Sequence, residues 1–409
     1  MALRTVSEHR AAVLGLVAPR PGLKVPVGEA LGLVLAEDVV ARVDLPGFDN
    51  SAMDGYAVRS ADVAGASVDA PVTLPVEGDI PAGDTVRRTL EPGTALRIMT
   101  GAPMPAGADT VVPVEHSDGG VGTVALDLAA EVGRHVRRRG EDIRVGDVVL
   151  SAGVRLGPGQ IALIAASNVA SVVAVPRPRV AVLSTGDELR PPGSDLDHGQ
   201  IVDSNSLMLA ALVRAAGAEV VTIASLPDRA EELRSFLAEV PGAPDLLLTT
   251  GGVSMGAYDT VKEVLIDSGD VEFVKVAMRP GMPQGCGVLS ASGTPIITLP
   301  GNPVSSFVSF HAYVLPVLRR LAGEDPDDDG SFEARAAASW RTAPGKVEWT
   351  RVSESAQGVR PSGGQGSHVF GALAEATALA VVPADVDEVR IGDPVRCLPL
   401  VGEDRRHGR

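Results

Sequence analysis

Apolar runs and amphipathic stretches alternate most regularly over residues 177–323. RVAVLS leads into TGDEL, and Ser204 opens a helix that Gly217 closes. EVVTIA follows, and Asp228 with Glu231 is placed to cap the next helix, up to about Val240. DLLLTT leads into GGVSMG and a helix from Asp259 to Gly269. VEFVKVAM leads to RPGMP, a β-hairpin passes through SASGT, and PIITL leads to PGNP and one long helix from Val304 to about Leu321. Apolar strands separated by amphipathic helices predict a doubly wound, mostly parallel α/β sheet covered on both faces.

The flanking regions carry a different pattern. Thr5 and Glu8 have capping-box spacing, and Val6, Val13, Leu14 and Val17 share a helical face before Pro19 and Pro21. Residues 24–154 hold short β-type runs (DVVARV, ALRIM, TVVPVE, DVVL) between Gly/Pro turns, with two loops longer than a hairpin needs. The acidic, breaker-rich EDPDDDG at 324–330 reads as a joint. Beyond it the chain is again β-rich. The organisation expected is a multidomain α/β plus β chain: an N-terminal region 1–176 of a helix and two interleaved β-rich subdomains, the inserted one about 46–140; an α/β domain 177–323; a small β-barrel-like domain 331–401; and a tail 402–409.

Composition narrows the function. With 36 basic against 52 acidic residues the net charge is −16, which argues against a general nucleic-acid binder. Two distant cysteines, Cys286 and Cys397, build no disulfide framework, zinc knuckle or iron–sulfur site, and the seven histidines show no HExxH spacing. The start MALRTVSEHR lacks an apolar core for a secretory signal. The uncharged stretches 156–176 and 280–318 are interrupted by Gly and Pro, whereas a spanning helix needs ~20 mostly apolar residues. The expectation is a cytoplasmic protein with no membrane partner.

In open α/β sheets, ligands bind beyond the carboxyl ends of the strands. Four loops leave such ends: 184–188 (Ser184, Thr185, Gly186, Asp187, Glu188), 250–256 (with Gly251, Gly252 and Ser254), 278–282 (with Arg279) and 299–305 (with Pro300, Gly301, Asn302, Pro303 and Ser305). Gly, Pro, Ser, Thr and Asn offer backbone N–H groups and hydroxyls with little bulk, which suits phosphate oxygens. Asp187, Glu188, Asp203 and Asp259 lie on the same edge. Beside bound phosphate such carboxylates repel unless a cation bridges them, and magnesium bridges with one or two carboxylates plus phosphate oxygens. Each also reads, taken singly, as a helix cap or solvated turn, Asp228 most of all as a pure cap. Cations stand near the loops: Lys275 and Arg279 around one strand end, Arg137, Arg138 and Arg139 before Gly140-Glu141-Asp142, and Arg351 (with Ser367) in the C-terminal region. Gly252 to Gly256 also matches G-x-S-x-G, with His311 and His368 downstream, leaving open a serine hydrolase using Ser254. No G-x-x-x-x-G-K-[ST] is present.

FDNSAMDGYAV (48–58), RIMTGAPMPAGAD (97–109), RRRGED (137–142), STGDEL (184–189), DSN (203–205), TTGGVSMGAYD (249–259) and LPGNPVSS (299–306) together resemble the signature segments of the molybdopterin molybdotransferases, the bacterial MoeA and gephyrin E-domain family. The resemblance implies an enzyme of molybdenum-cofactor synthesis that takes adenylylated molybdopterin, inserts molybdate at its dithiolene sulfurs and releases AMP with magnesium. It implies a homodimer whose cleft is shared, the FDNSAMDGYA loop reaching in from the partner, and an α/β subdomain like the molybdopterin adenylyltransferase, itself an implied partner. Carried over by position, Asp54 and Thr100 line the cleft; Asp142, Glu188, Asp228 and Asp259 are the acidic residues needed for activity; Lys275, Arg351 and Ser367 contact the anionic pterin or molybdate; Pro300 and Pro303 shape the PGNP loop. Where the family commonly reads KPGKP, this chain has Arg279 and Met282, which keeps one cation and loses the other. A non-catalytic scaffold on the same fold is the alternative within this resemblance.

Overall fold

The computed structural model describes residues 3–251 and 260–402. The chain forms two compact units: residues 24–31 with 37–173, and residues 1–23, 32–36 and 174–409. Among the described residues no helix is long and apolar enough to cross a membrane.

The chain begins with helix α1 (Val6–Gly15). Its capping box forms as the spacing predicts: the Thr5 hydroxyl accepts from Glu8 N–H at 3.1 Å, and the Glu8 carboxylate accepts from Thr5 N–H at 2.8 Å. The smaller unit is built on a five-stranded sheet, β4-β1-β3-β2-β5, made of β1 (Gly55–Val58), β2 (Val72–Ile80), β3 (Ala95–Ile98), β4 (Thr110–Pro113) and β5 (Thr123–Leu126). Strand period two sends alternate side chains to opposite faces. Tyr56 and Val58 therefore join one buried cluster with Val112 and Leu126, while Ala57 joins another with Ile98 and Val111. In the same unit, helix α2 runs over Pro158–Ala166.

The larger unit holds the doubly wound sheet. Its six strands are β6 (Arg179–Thr185), β7 (Glu219–Leu226), β8 (Leu246–Thr250), β9 (Val271–Lys275), β11 (Pro283–Val288) and β12 (Pro295–Leu299), in the order β7-β6-β8-β12-β11-β9. The first four are parallel, and β11 runs antiparallel to both its neighbours. Both faces are covered. Val180, Val182, Leu246, Leu248 and Ile297 pack with α3 (Asn205–Ala215), α6 (Pro303–Ser309) and α7 (Leu315–Leu321). Ala181, Leu183, Leu247 and Ile296 pack with α4 (Ala230–Ala238) and α5 (Thr260–Asp267).

Three expectations change. The long helix is interrupted: a π turn over Phe310–Val314 separates α6 from α7, next to Pro316, which has no N–H to continue the ladder. The N-cap position of α4 falls to Arg229 rather than Asp228, and the Arg229 side chain makes no capping bond. The segment after β9 does not stay with the sheet. Its short strand β10 (Met278–Arg279) pairs in parallel with β14 (Val347–Ser355) of the C-terminal region.

That region contains β13 (Phe332–Arg335), β14, β15 (Gly358–Pro361), helix α8 (Phe370–Ala374), β16 (Ala378–Val382) and β17 (Pro394–Pro399). The pairings run β13-β17-β16-β14-β15, and a bridge from Ala336 to Val359 returns β15 to the end of β13, giving a small barrel. Val352, Val359, Ala380, Val395 and Cys397 fill it. Both cysteines are buried and form no disulfide.

Candidate active site

The turn after β6 carries the first acidic groups. Asp187 and Glu188 are both exposed. Asp187 Oδ1 accepts from the N–H of Asp228 at 3.3 Å, so two of the expected acidic residues meet at the ends of β6 and β7. Glu188 folds back over Gly186: a Cβ at that glycine would lie 2.6 Å from Glu188 Oε2. Ser184 and Thr185 precede this turn but are buried. The Ser184 hydroxyl donates to Asp203 Oδ2 at 2.6 Å, and Asp203 Oδ1 accepts from Ser206 N–H at 3.1 Å. Ser184 and Asp203 therefore fasten α3 to the end of β6 and are withdrawn from ligand contact.

The turns after β8 and β12 meet. A Cβ on Gly301 would lie 3.5 Å from Gly251 Cα, and one on Gly251, whose φ is +90°, would lie 3.1 Å from the Thr185 carbonyl. Only glycine permits that approach. Asn205 donates to Thr250 Oγ1 at 2.9 Å and to the Gly301 carbonyl at 2.7 Å. Ser306 donates to the Pro300 carbonyl from beneath. Gly301 and Asn302 are exposed, Pro303 is half-buried, and Ser305 is buried, so Ser305 faces the core. Asp259, Gly252 and Ser254 lie outside the described residues.

The hydrolase reading also needed a base. His311 is buried, its Nδ1 lies 2.9 Å from the Phe307 carbonyl, and its Nε2 accepts from Val401 N–H at 3.3 Å. Neither ring nitrogen is left to activate a serine. His368 is exposed.

The C-terminal barrel contributes through a loop rather than through Arg351 itself. Arg351 was expected to contact the anion, yet it is only 1% exposed. Its guanidinium donates to the carbonyls of Val369 (2.7 Å), Gly364 (2.8 Å) and Gly366 (3.1 Å). No carboxylate pairs with it among the described residues, and burial holds its pKa below the ordinary guanidinium value. The cation thus gathers the 363–369 loop, which suits a rigid fork of donors. That loop reaches the site: the Ser367 carbonyl accepts from Val304 N–H, in the first turn of α6, at 3.2 Å. Lys275 is exposed at the end of β9, and its carbonyl accepts from Arg4 N–H at 2.9 Å. Arg279, also exposed, stands 3.9 Å from the buried Glu348 carboxylate, whose pKa burial raises against the opposing pull of Arg279. Met282 gives its carbonyl to Val276 N–H.

The smaller unit holds the other expected residues. The exposed Asp54 accepts from Thr100 N–H (2.6 Å) and from the Thr100 hydroxyl (2.7 Å). These bonds, the backbone one first, hold its carboxyl below the usual aspartate value. Arg138 and Arg139 are spent within the unit. Arg138 pairs with Asp49 at 2.7 Å, Arg139 N–H donates to Asp49 at 2.8 Å, and the Arg139 side chain pairs with Asp44 at 2.5 Å. Arg137 and Asp142 are exposed. Asn205 is the residue that sequence reasoning missed; its only signal was its place in the DSN segment.

Comparison with known proteins places the whole chain. Residues 4–168 match the family described as MoeA N-terminal region (domain I and II), 181–320 a probable molybdopterin binding domain, and 333–400 the MoeA C-terminal region (domain IV). Molybdopterin molybdenumtransferase 2 of Mycobacterium tuberculosis is 47% identical over 97% of this chain and 100% of its own. Molybdopterin molybdenumtransferase of Haemophilus influenzae is 36% identical over 91% of this chain and 92% of its own. Two crystal structures of a molybdopterin biosynthesis MoeA protein from Pyrococcus horikoshii superpose with a TM-score of 0.82, at 30% and 27% identity, covering 98% and 97% of this chain and all of theirs. With full-length relatives at this identity and the sheet edge built as described, the chain belongs to the MoeA family, the molybdopterin molybdenumtransferases of molybdenum-cofactor biosynthesis.

Proposed function

We propose that the chain inserts molybdate into adenylylated molybdopterin, with magnesium-dependent cleavage of the phosphoanhydride and release of AMP. The observation that carries this reading is the meeting of two side-chain-poor turns, at Gly251 and Gly301, on the strand edge that also exposes Asp187 and Glu188. Backbone there can approach phosphate oxygens closely, and catalysis by positioning and charge neutralisation asks for little else.

Asp187 and Glu188 would hold the magnesium ion, with Asp259 as a further ligand. Two neighbouring exposed carboxylates fit a cation that draws its other ligands from phosphate and water. When bound, the ion would neutralise charge on the diphosphate bridge. Lys275 and the loop gathered by Arg351, with Ser367, would face the molybdate and the pterin, and Arg279 would add a cation beside them. Asp54, Thr100, Arg137 and Asp142 would complete the cleft in a homodimer of cytoplasmic location, fed by the molybdopterin adenylyltransferase.

The test is incubation with adenylylated molybdopterin, magnesium and molybdate, with AMP read by chromatography. Release above a protein-free control is expected, and Glu188→Gln should abolish it with the fold intact. No AMP from the wild-type chain would overturn the reading; full release by Glu188→Gln would remove the metal assignment.

A further inference from the structure

We infer that Asn205 is a positioning residue, which holds the turns after β8 and β12 at one fixed separation so that a nucleotide-linked substrate can turn over between them. The inference deepens the function proposed above and rests on it.

The geometry starts one residue pair earlier. Asp203 is buried and uses both carboxylate oxygens: one accepts from Ser184 at the end of β6, the other from Ser206 N–H in the first turn of α3. The start of α3 is therefore anchored to one strand end. From that anchor Asn205 spends both amide hydrogens on two other strand ends, Thr250 Oγ1 at 2.9 Å and the Gly301 carbonyl at 2.7 Å. The acceptors do not move freely. Thr250 Oγ1 lies 3.2 Å from Ser306 Oγ, and Ser306 donates to the Pro300 carbonyl, so the PGNP turn is gripped from both sides. One four-residue segment thus ties β6, β8 and β12 together at the edge where the ligand is proposed to bind.

The amide cannot be turned round, because only an N–H can face the Gly301 carbonyl. That orientation leaves Asn205 Oδ1 buried without a partner among the described residues. An unpaired buried acceptor works against stability. A residue serving only the fold gains little from such an arrangement, whereas a residue fixing two turns has no alternative. Aspartate lacks the donors, and a hydroxyl at this position is too short to span both acceptors.

Asn205→Ala and Asn205→Asp should lower kcat for AMP release by roughly 10- to 100-fold, the scale that misplacement by about 1 Å brings. KM should change less than kcat. Amide hydrogen exchange should accelerate at Thr250, Gly251, Leu299, Gly301 and Asn302 together. Thr250→Val added to Asn205→Ala should cost little more than either alone, because both break one clasp. Ser204→Ala, on the same turn but without a capping bond, is the control and should match wild type. Wild-type kcat in both Asn205 variants, or a slowed variant whose two turns exchange as in wild type, overturns the inference. If an Asn205 variant fails to fold, Thr250→Val alone decides by the same two readouts. Absence of AMP release from the wild-type chain would instead defeat the proposed reaction, and the exchange data would still judge the clasp.

Discussion

Acid should loosen the larger unit through His9. This residue sits on α1, is fully buried, and meets the ring of Tyr313 edge-on with centroids 4.6 Å apart. Neither ring nitrogen has a hydrogen-bond partner among the described residues. Burial, helped by the nearby Arg4 and opposed by Glu272, lowers its pKa from 6.5 to about 4. Above pH 6.5 the ring is neutral in both folded and unfolded chains and pH has no effect through it. Between 6.5 and about 4 the unfolded chain binds a proton that the folded chain refuses, so stability falls as pH falls, and below about 4 the loss levels off. The whole descent is worth about 3 kcal/mol, a large share of the roughly 5–15 kcal/mol typical of a folded domain. His9→Phe keeps a ring against Tyr313 and removes the titration. The assay is urea unfolding from pH 8 to 4.5, followed by fluorescence of Trp340 and Trp349, the chain's two tryptophans, both in this unit. Any packing cost of the larger ring is read at pH 8 and subtracted. His9→Phe should then lose about 2–3 kcal/mol less than wild type on reaching pH 4.5. His311, lowered to about 4 mainly by burial, stays as a matched contributor in both chains. Parallel pH curves for the two chains would refute the reasoning.

Three further outcomes follow from the same geometry. Arg351→Met should take the guanidinium donor from three part-buried carbonyls and cost about 1.5–3 kcal/mol, water satisfying the more exposed of them; Arg351→Lys should recover only part of this, because an ammonium lacks the guanidinium fork, and a lysine variant as stable as wild type would contradict the loop-gathering role. Gly186→Ala, at a backbone φ of +157°, should strain the turn by about 1–3 kcal/mol, drive the Glu188 carboxylate from its place and slow AMP release by about tenfold or more; unchanged turnover would mean that this placement of Glu188 is irrelevant. The Thr100 amide resonance should titrate with a midpoint below the ordinary aspartate value of 3.8, and Asp54→Asn should remove that titration; a midpoint at or above 3.8 would show that the two Thr100 bonds do not stabilise the carboxylate.

Local pattern carried most of the architecture. The unbroken apolar run in RVAVLS predicts a strand buried on both faces, and the structure sends Val180 and Val182 to one cluster and Ala181 and Leu183 to the other. The capping box at Thr5 was legible because its partners lie three residues apart. What local pattern misses is pairing across long separations. Nothing in RPGMP announces that Met278 and Arg279 leave the α/β sheet to pair with Val347 and Glu348. The same gap explains Arg351. Its type and region suggested an anion contact, but whether a guanidinium faces solvent or three carbonyls depends on how the 363–369 loop folds over it, and residue identity at one position does not encode that. Asn205 is the converse case: an unremarked polar residue at a helix start acquires its role only when two strand ends converge on it. Side-chain-poor turns mark where backbone must come close to something. The residues that hold such turns in place are polar, half-buried and distant in sequence, so they become visible only once the fold has brought the turns together.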